Sequence, residues 1–170
     1  HGGTINPMSL VAEIKKFFKK TIILSGCIST GRDIASAMQM GADFAYMGTR
    51  FINTKESLAD EGYKDMIINS KADDIVYTAA VSGVNANFLK PSLEAMGITE
   101  DMWKNSKKID FGKELSAAEA EAKAWKTIWS AGQGVTSITD SPSVKDLVDK
   151  LKEEFVDAVE DQKSLLGKFS

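Results

Sequence analysis

Residues 21–51 constrain the fold more than any other part of the sequence, because two short apolar segments there flank one short helix. Residues 21–24 are apolar and rich in β-branched side chains, which predicts a buried strand. A second strand is predicted over residues 43–47. Two strands joined by a helix form a βαβ unit, in which the strands are parallel and the crossover is right-handed. Apolar strands of this kind predict a sheet that is covered on both faces.

The helix inside this unit has well-marked ends. Thr30 and Asp33 have the spacing of a capping box, with Asp in place of the usual Glu. Gly41 predicts the carboxyl end of the helix, because glycine readily takes the left-handed conformation found there. An earlier helix is predicted to begin at Asn6 and Pro7. Its apolar residues fall on one face at helical spacing: Leu10, Val11, Ile14, Phe17 and Phe18.

Beyond residue 55 the sequence predicts mainly helices. They are expected over residues 56–69, around Pro91, from Ser116 and from Ser141, with residues 74–81 extended. We therefore divide the chain into residues 1–55, which hold the βα units, and residues 56–170, which form a mainly helical region. The predicted fold class is α/β. Two or three parallel strands are too few for a closed barrel of eight, so the sheet is either small and open or part of something larger.

Composition excludes several classes of protein. The net charge of −3 argues against a nucleic-acid partner, which needs a basic face. No apolar run reaches the roughly 18 residues that span a bilayer. We therefore expect a cytoplasmic location and no membrane partner. A single Cys excludes an internal disulfide. A chain with only one His and one Cys also has too few of the usual ligands for a transition-metal site.

Two turns of small residues are the best candidates for a binding site. Small residues at the end of a strand let the backbone approach an anion, and a following helix offers free N–H groups. The residues of the first turn are Ser25, Gly26 and Cys27, and those of the second turn are Met47, Gly48 and Thr49. Together they predict a phosphate site, but tight turns in α/β proteins need small residues anyway. The residues alone leave both interpretations open.

Four other features carry open alternatives. His1 is the only histidine, and it is either a catalytic residue, since an imidazole transfers protons near neutral pH, or a structural residue or tag remnant. Cys27 is a nucleophile or simply a small turn residue. Arg50 is an anion ligand or contacts a carboxylate at the start of a helix. Gly132 is either the residue that ends a helix or part of a loop, residues 131–135, that approaches a ring system. In that loop Gln133 lies between two glycines.

The sequence resembles the nitronate monooxygenase family. Residues 1–7 (HGGTINP) are similar to its active-site segment, residues 21–33 to its strand and turn PVIAAGGIADGRD, and residues 41–57 to GADGVQMGTRFLATKES. Residues 81–89 and 129–135 resemble later family segments. The resemblance covers essentially the whole chain, and it implies a TIM-type flavin barrel with an added, mainly helical region. Residues 1–55 would then be the last βα units of that barrel.

The resemblance also implies a cofactor and roles for single residues. FMN phosphate would bind the backbone of both turns, Gln133 would lie near the flavin, and His1 would be the catalytic residue that takes a proton from the substrate. The reaction would be oxidation of alkyl nitronates or nitroalkanes by oxygen, with no metal. The family's usual second glycine of the first turn is Cys27 here.

The family's first strands would precede His1, so we expect this chain to be a carboxyl-terminal portion that exposes apolar surface. Whether it is active alone stays open. Its expected partners are a small-molecule substrate and either a second copy of the chain or the missing amino-terminal portion. The rival functions are a flavin enoyl-acyl-carrier-protein reductase or an NAD(P)H:quinone reductase of the same fold, a non-catalytic phosphate- or nucleotide-binding module, and a structural piece without ligand.

Overall fold

The computed structural model describes residues 2–104 and 127–169. Most of the helix predicted from Ser116 through Trp129 lies outside these residues, but Ile128 and Trp129 are described and are not helical. The first half of the chain contains α1 (Pro7–Phe17), β1 (Ile23–Ser25), α2 (Gly31–Met40), β2 (Phe44–Tyr46) and the short α3 (Thr49–Ile52). It continues with α4 (Glu61–Asn69), β3 (Ile75–Thr78), β4 (Ala86–Leu89), α5 (Lys90–Ala95) and α6 (Glu100–Lys104). The last helix is α7 (Val144–Leu166), and short 3₁₀ turns span Ala72–Asp74 and Gln133–Ser137.

The predicted βαβ unit is confirmed. β1 and β2 pair in parallel, with Ile23 opposite Phe44 and Ser25 opposite Tyr46. Thr30 and Asp33 form the reciprocal capping box of α2, and Gly41 ends the helix at φ 105°. Beneath this unit lies one core cluster of buried residues: Val11, Ile22, Leu24, Ile28, Ala37 and Ala42.

Within the described residues the sheet is covered on one face only, so for this part of the chain the prediction of two covered faces is wrong. On the open face Ile23, Phe44 and Tyr46 are each about 60% exposed. The expected exposure of apolar surface is therefore observed, because no described element packs on this side of β1 and β2. The apolar stripe of α1 is likewise only partly used: Val11 is buried, whereas Phe17 is 76% exposed.

Beyond α4 the described part of the chain is organised around an antiparallel pair and the last helix. β3 pairs with β4, and Ile75 lies opposite Leu89. α7 packs along α2, with Leu147, Leu151 and Ala158 buried. It begins at Val144 with Ser143 as the N-cap, two residues later than the sequence predicted, because the Ser143 hydroxyl accepts the hydrogen bond from the Asp146 N–H. Among the described helices, none is long and apolar enough to cross a membrane.

Candidate active site

A cavity of about 300 Å³ lies at the carboxyl ends of the two parallel strands. Ser25 closes β1 and Tyr46 closes β2, and the Ser25 hydroxyl donates to the Tyr46 carbonyl at 3.1 Å, which ties the strand ends together. Ligands of α/β proteins bind at this edge of a sheet, because the loops that follow the strands meet there. The two turns identified in the sequence are thereby brought to one place.

Four of the predicted binding residues line this cavity, namely Ser25, Gly26, Gly48 and Thr49. Cys27 and Met47 do not line it with their side chains, which pack against the core cluster beneath the sheet. Gln133 is exposed, while the glycines on either side of it line the cavity. His1, the predicted catalytic residue, lies outside the described residues.

The first turn takes its shape from Gly26. This residue has φ 102°, a left-handed conformation that side chains rarely adopt. The left-handed position of this turn is thus filled by glycine, which adopts it without steric cost. Burial, with a further contribution from the Asp33 carboxylate, raises the pKa of the Cys27 thiol. A raised pKa disfavours the thiolate, and the side chain packs against the core cluster, so both observations favour the small turn residue over the nucleophile.

The amino end of α2 does not offer the free N–H groups that the sequence suggested. The N–H groups of Ser29 and Thr30 both donate to the Asp33 carboxylate at 2.9 Å. The N–H of Gly31 donates to Glu154 Oε2, on α7, at 2.7 Å. Carboxylates of the chain itself thus occupy the place where the helix dipole favours an anion. A phosphate in the cavity would have to use the backbone of the turns.

A third segment closes the cavity, and we call residues 130–134 the Gly132 loop. The N–H of Gly132 donates to Thr49 Oγ1 at 2.9 Å. A Cβ on Gly132 would lie 2.3 Å from the Gly26 carbonyl oxygen, and one on Gly134 would lie 2.4 Å from Ser29 Oγ. Gly132 precedes a 3₁₀ turn and does not end a helix, so the helix-cap alternative is wrong. Its glycines permit close contact with the first turn.

An aromatic pair supports the Gly132 loop from behind. Tyr63 and Trp129 stack with ring centroids 5.1 Å apart and planes 12° apart. The Tyr63 hydroxyl donates to the Ser130 carbonyl, and burial raises the pKa of Tyr63 to about 12. Tyr63 and Ser130 both line the cavity. This role of Tyr63 could not be predicted from the sequence, because nothing in the local pattern of α4 relates it to a loop more than 60 residues away.

Arg50 is not available as an anion ligand. Its side chain is only 3% exposed, and Nη1 and Nη2 donate to the carbonyl and to Oδ1 of Asp140 at 3.0 and 2.6 Å. The second alternative for this residue, contact with a carboxylate, is therefore confirmed. Among the described residues that line the cavity, none carries a charged side chain. An anion held there would be bound by neutral donors, which are backbone N–H groups and hydroxyls.

Comparison with known proteins agrees with this geometry. The nitronate monooxygenase family model matches residues 1–154. A nitronate monooxygenase of Paraburkholderia phytofirmans is 30% identical over 162 residues, which are 92% of this chain and 43% of that protein. A probable nitronate monooxygenase of Staphylococcus aureus is 30% identical over 144 residues, 82% of this chain and 40% of that protein.

Solved structures show the same fold. FabK from Thermotoga maritima matches with a TM-score of 0.75 at 26% identity, over 96% of this chain and 53% of that one. A nitroalkane oxidase from Streptomyces ansochromogenes matches with a TM-score of 0.70 at 25% identity, over 93% of this chain and 46% of that one. The fold is therefore part of a TIM-type barrel with an added region, as expected from the resemblance.

The parallel strands, the cavity at their carboxyl ends and these matches place the chain among the TIM-type barrel proteins. The chain belongs to the nitronate monooxygenase family. It spans less than half the length of the family members it matches.

Proposed function

We propose that this chain supplies the FMN phosphate site of an enzyme that oxidises alkyl nitronates or nitroalkanes with oxygen. The observation that carries the proposal is the meeting of both turns and the Gly132 loop around one cavity. The family membership supports the flavin chemistry. The partners proposed for the intact protein are a small-molecule substrate and the portion of the protein that completes the barrel.

The residues of the cavity fit a phosphate. A Cβ on Gly48 would meet no atom within 4 Å, so the space beside this residue is open. Ser29 Oγ is buried and has no hydrogen-bond partner among the described residues, although its residue lines the cavity. A buried hydroxyl without a partner is costly, and a bound group that accepts its hydrogen would remove that cost.

Within this proposal the chain's residues bind and orient. The backbone of Ser25, Gly26 and Cys27 and that of Met47, Gly48 and Thr49 would hold the phosphate, with Gln133 near the ring. Ile28 and Ile52 line the cavity and give it apolar walls that exclude water. When bound, the flavin supplies electron transfer between substrate and oxygen. His1 is proposed to take the proton from the substrate carbon.

Titration of the purified chain with FMN tests the proposal. Flavin fluorescence and the visible absorption band should both change on binding, and riboflavin, which lacks the phosphate, should bind more weakly. The Gly48→Ala variant is the matched test, because its added methyl group would narrow the space proposed for phosphate. Absence of FMN binding by both this chain and the intact protein would refute the proposal.

The reductases named above are the second candidate. An enoyl reductase domain from Bacillus amyloliquefaciens has the same fold with a TM-score of 0.57, and its 17% identity supports the fold alone. The intact flavin-loaded protein separates the candidates: oxygen uptake with a nitronate supports the monooxygenase, whereas consumption of NAD(P)H with an enoyl thioester or a quinone supports a reductase. A protein that binds FMN without either reaction would be a non-catalytic module.

A further inference from the structure

The segment of residues 140–154 connects the two sides of the cavity, and we call it the brace. Its first part is fixed by the residues that follow the second turn. Arg50 donates to Asp140, Asn53 Nδ2 donates to Ser141 Oγ at 3.3 Å, and the Lys55 N–H donates to the Pro142 carbonyl at 3.0 Å. Residues 50–55, which follow the second turn, thus hold the first part of the brace.

The start of α7 is held by Glu56, the next residue of the same segment. The N–H of Val144 donates to both oxygens of the Glu56 carboxylate, at 3.0 and 2.9 Å. A carboxylate at the amino end of a helix is also favoured by the helix dipole. The direction of α7 is therefore set by the segment that carries the second turn.

The other end of the brace contacts the segment that carries the first turn. Glu154 accepts a hydrogen bond from the N–H of Gly31, at the amino end of α2. Gly31 permits this approach, because a Cβ there would lie 2.1 Å from the Leu151 carbonyl oxygen and 2.5 Å from the Phe155 nitrogen. Residues 28–30 connect the first turn to Gly31, and the N–H groups of Ser29 and Thr30 are fixed by the Asp33 carboxylate.

The parallel strands alone fix the two turns weakly. Each strand has three residues, and one face of the pair is open to solvent. A pair this short is not independently stable, so its geometry depends on what packs against it. The contact between α7 and α2 is the most extensive helix packing in the described part of the chain.

From these contacts we propose that the brace sets the separation of the two turns and that Glu154 is a positioning residue for the phosphate site. The proposal rests on the proposed FMN site. Glu154 does not line the cavity, so it acts through Gly31 and the first turn.

The test compares FMN and riboflavin affinity in Glu154→Ala, Glu154→Gln and Glu153→Ala. In Glu154→Ala the dissociation constant for FMN should rise about tenfold, the equivalent of one lost charge-assisted hydrogen bond, while that for riboflavin changes little. Glu154→Gln should restore most FMN affinity, because the amide oxygen still accepts from Gly31. Glu153 is exposed and one residue away, so Glu153→Ala should match the parent chain.

Two results of the affinity measurements would overturn the proposal: an unchanged FMN affinity in Glu154→Ala, or equal losses for FMN and riboflavin, which indicate a general structural effect. Amide hydrogen exchange without ligand provides an independent measurement. Glu154→Ala should accelerate exchange in residues 25–31 and 47–50, and unchanged exchange there would also overturn it. If the parent chain fails to bind FMN, the proposed FMN site is refuted for this chain. The exchange measurement alone then tests whether the brace positions the two turns.

Discussion

The backbone of Gly132 lies directly against the carbonyl oxygen of Gly26, so close that a Cβ on Gly132 would be 2.3 Å from that oxygen. Gly132 has φ −83°, a conformation open to every residue. Space, and not backbone conformation, therefore requires glycine at this position. The contact connects the first turn to the Gly132 loop across more than 100 residues of sequence.

Replacing Gly132 tests this contact. We expect Gly132→Ala to lower the free energy of unfolding by at least about 2 kcal/mol, because the added methyl group meets backbone atoms that cannot move aside. Urea unfolding followed by circular dichroism measures the change. Gly3→Ala is the control, since a Cβ there would meet no atom within 4 Å. Equal stability of the two variants would show that the loop does not lie against the first turn.

Gly48→Ala separates binding from stability. Its Cβ enters open space and its φ of −110° suits alanine, so we expect little change in the free energy of unfolding. The same methyl group reduces the space proposed for the phosphate, and FMN affinity should fall about tenfold. Calorimetric unfolding and FMN titration measure the two effects. A stable variant with unchanged FMN affinity would place the phosphate elsewhere.

The pair of Arg50 and Asp140 should contribute to stability although Asp140 is half exposed. Asp140→Ala removes a charged acceptor from a buried guanidinium, which we expect to cost about 2 kcal/mol of unfolding free energy. Asp149→Ala breaks the exposed pair with Lys145 and should cost nothing measurable. Chemical unfolding at low and high salt distinguishes them. A small, salt-sensitive loss in Asp140→Ala would mean that the guanidinium is hydrated.

Ionisation of Tyr63 should destabilise the folded protein in alkaline solution. Its pKa is about 12 in the folded protein and about 10 when the chain is unfolded. The folded state therefore holds this proton more tightly than the unfolded state. The resulting contribution of Tyr63 to the free energy of unfolding is complete below pH 10 and is lost as the pH rises from about 10 to 12. Thermal unfolding across this range should show a steeper fall for the parent chain than for Tyr63→Phe. Parallel curves would indicate that Tyr63 is accessible to solvent.

The two sides of the sheet should respond differently to truncation. Leu24 is 4% exposed in the core cluster, and Leu24→Ala should cost about 2–5 kcal/mol of unfolding free energy. Phe44 is 58% exposed on the open face, and Phe44→Ala should cost less than about 1 kcal/mol. Denaturant unfolding of this chain measures both. A large cost for Phe44→Ala would show that the open face is covered in solution, for example by a second copy.

Local features were predictable because each depends on a few neighbouring residues. The capping box of Thr30, the end of α2 at Gly41 and the start of α1 at Asn6 all follow from hydrogen bonds within one helical turn. The parallel pairing followed from the length of the connection. The cytoplasmic location, the division at residue 55, the partners and the roles of His1 and Gln133 stay predictions.

Features that depend on distant segments were not predictable. The N–H groups of α2 looked free because Glu154 lies 123 residues from Gly31. The role of Arg50 stayed open for the same reason, since Asp140 is 90 residues away. Tyr63 gave no signal at all, because its partners Trp129 and Ser130 are close to it only in the folded chain.

The sequence by itself determined the βαβ unit, the two small-residue turns and the family, because these follow from short-range hydrogen bonding and from a specific motif. Only the tertiary structure decided which groups face the cavity. It directed Arg50 to Asp140, placed Glu154 at Gly31 and laid Gly132 on Gly26. Each is a contact between segments far apart in the chain, and the packing of whole elements, rather than any local pattern, brings such segments together.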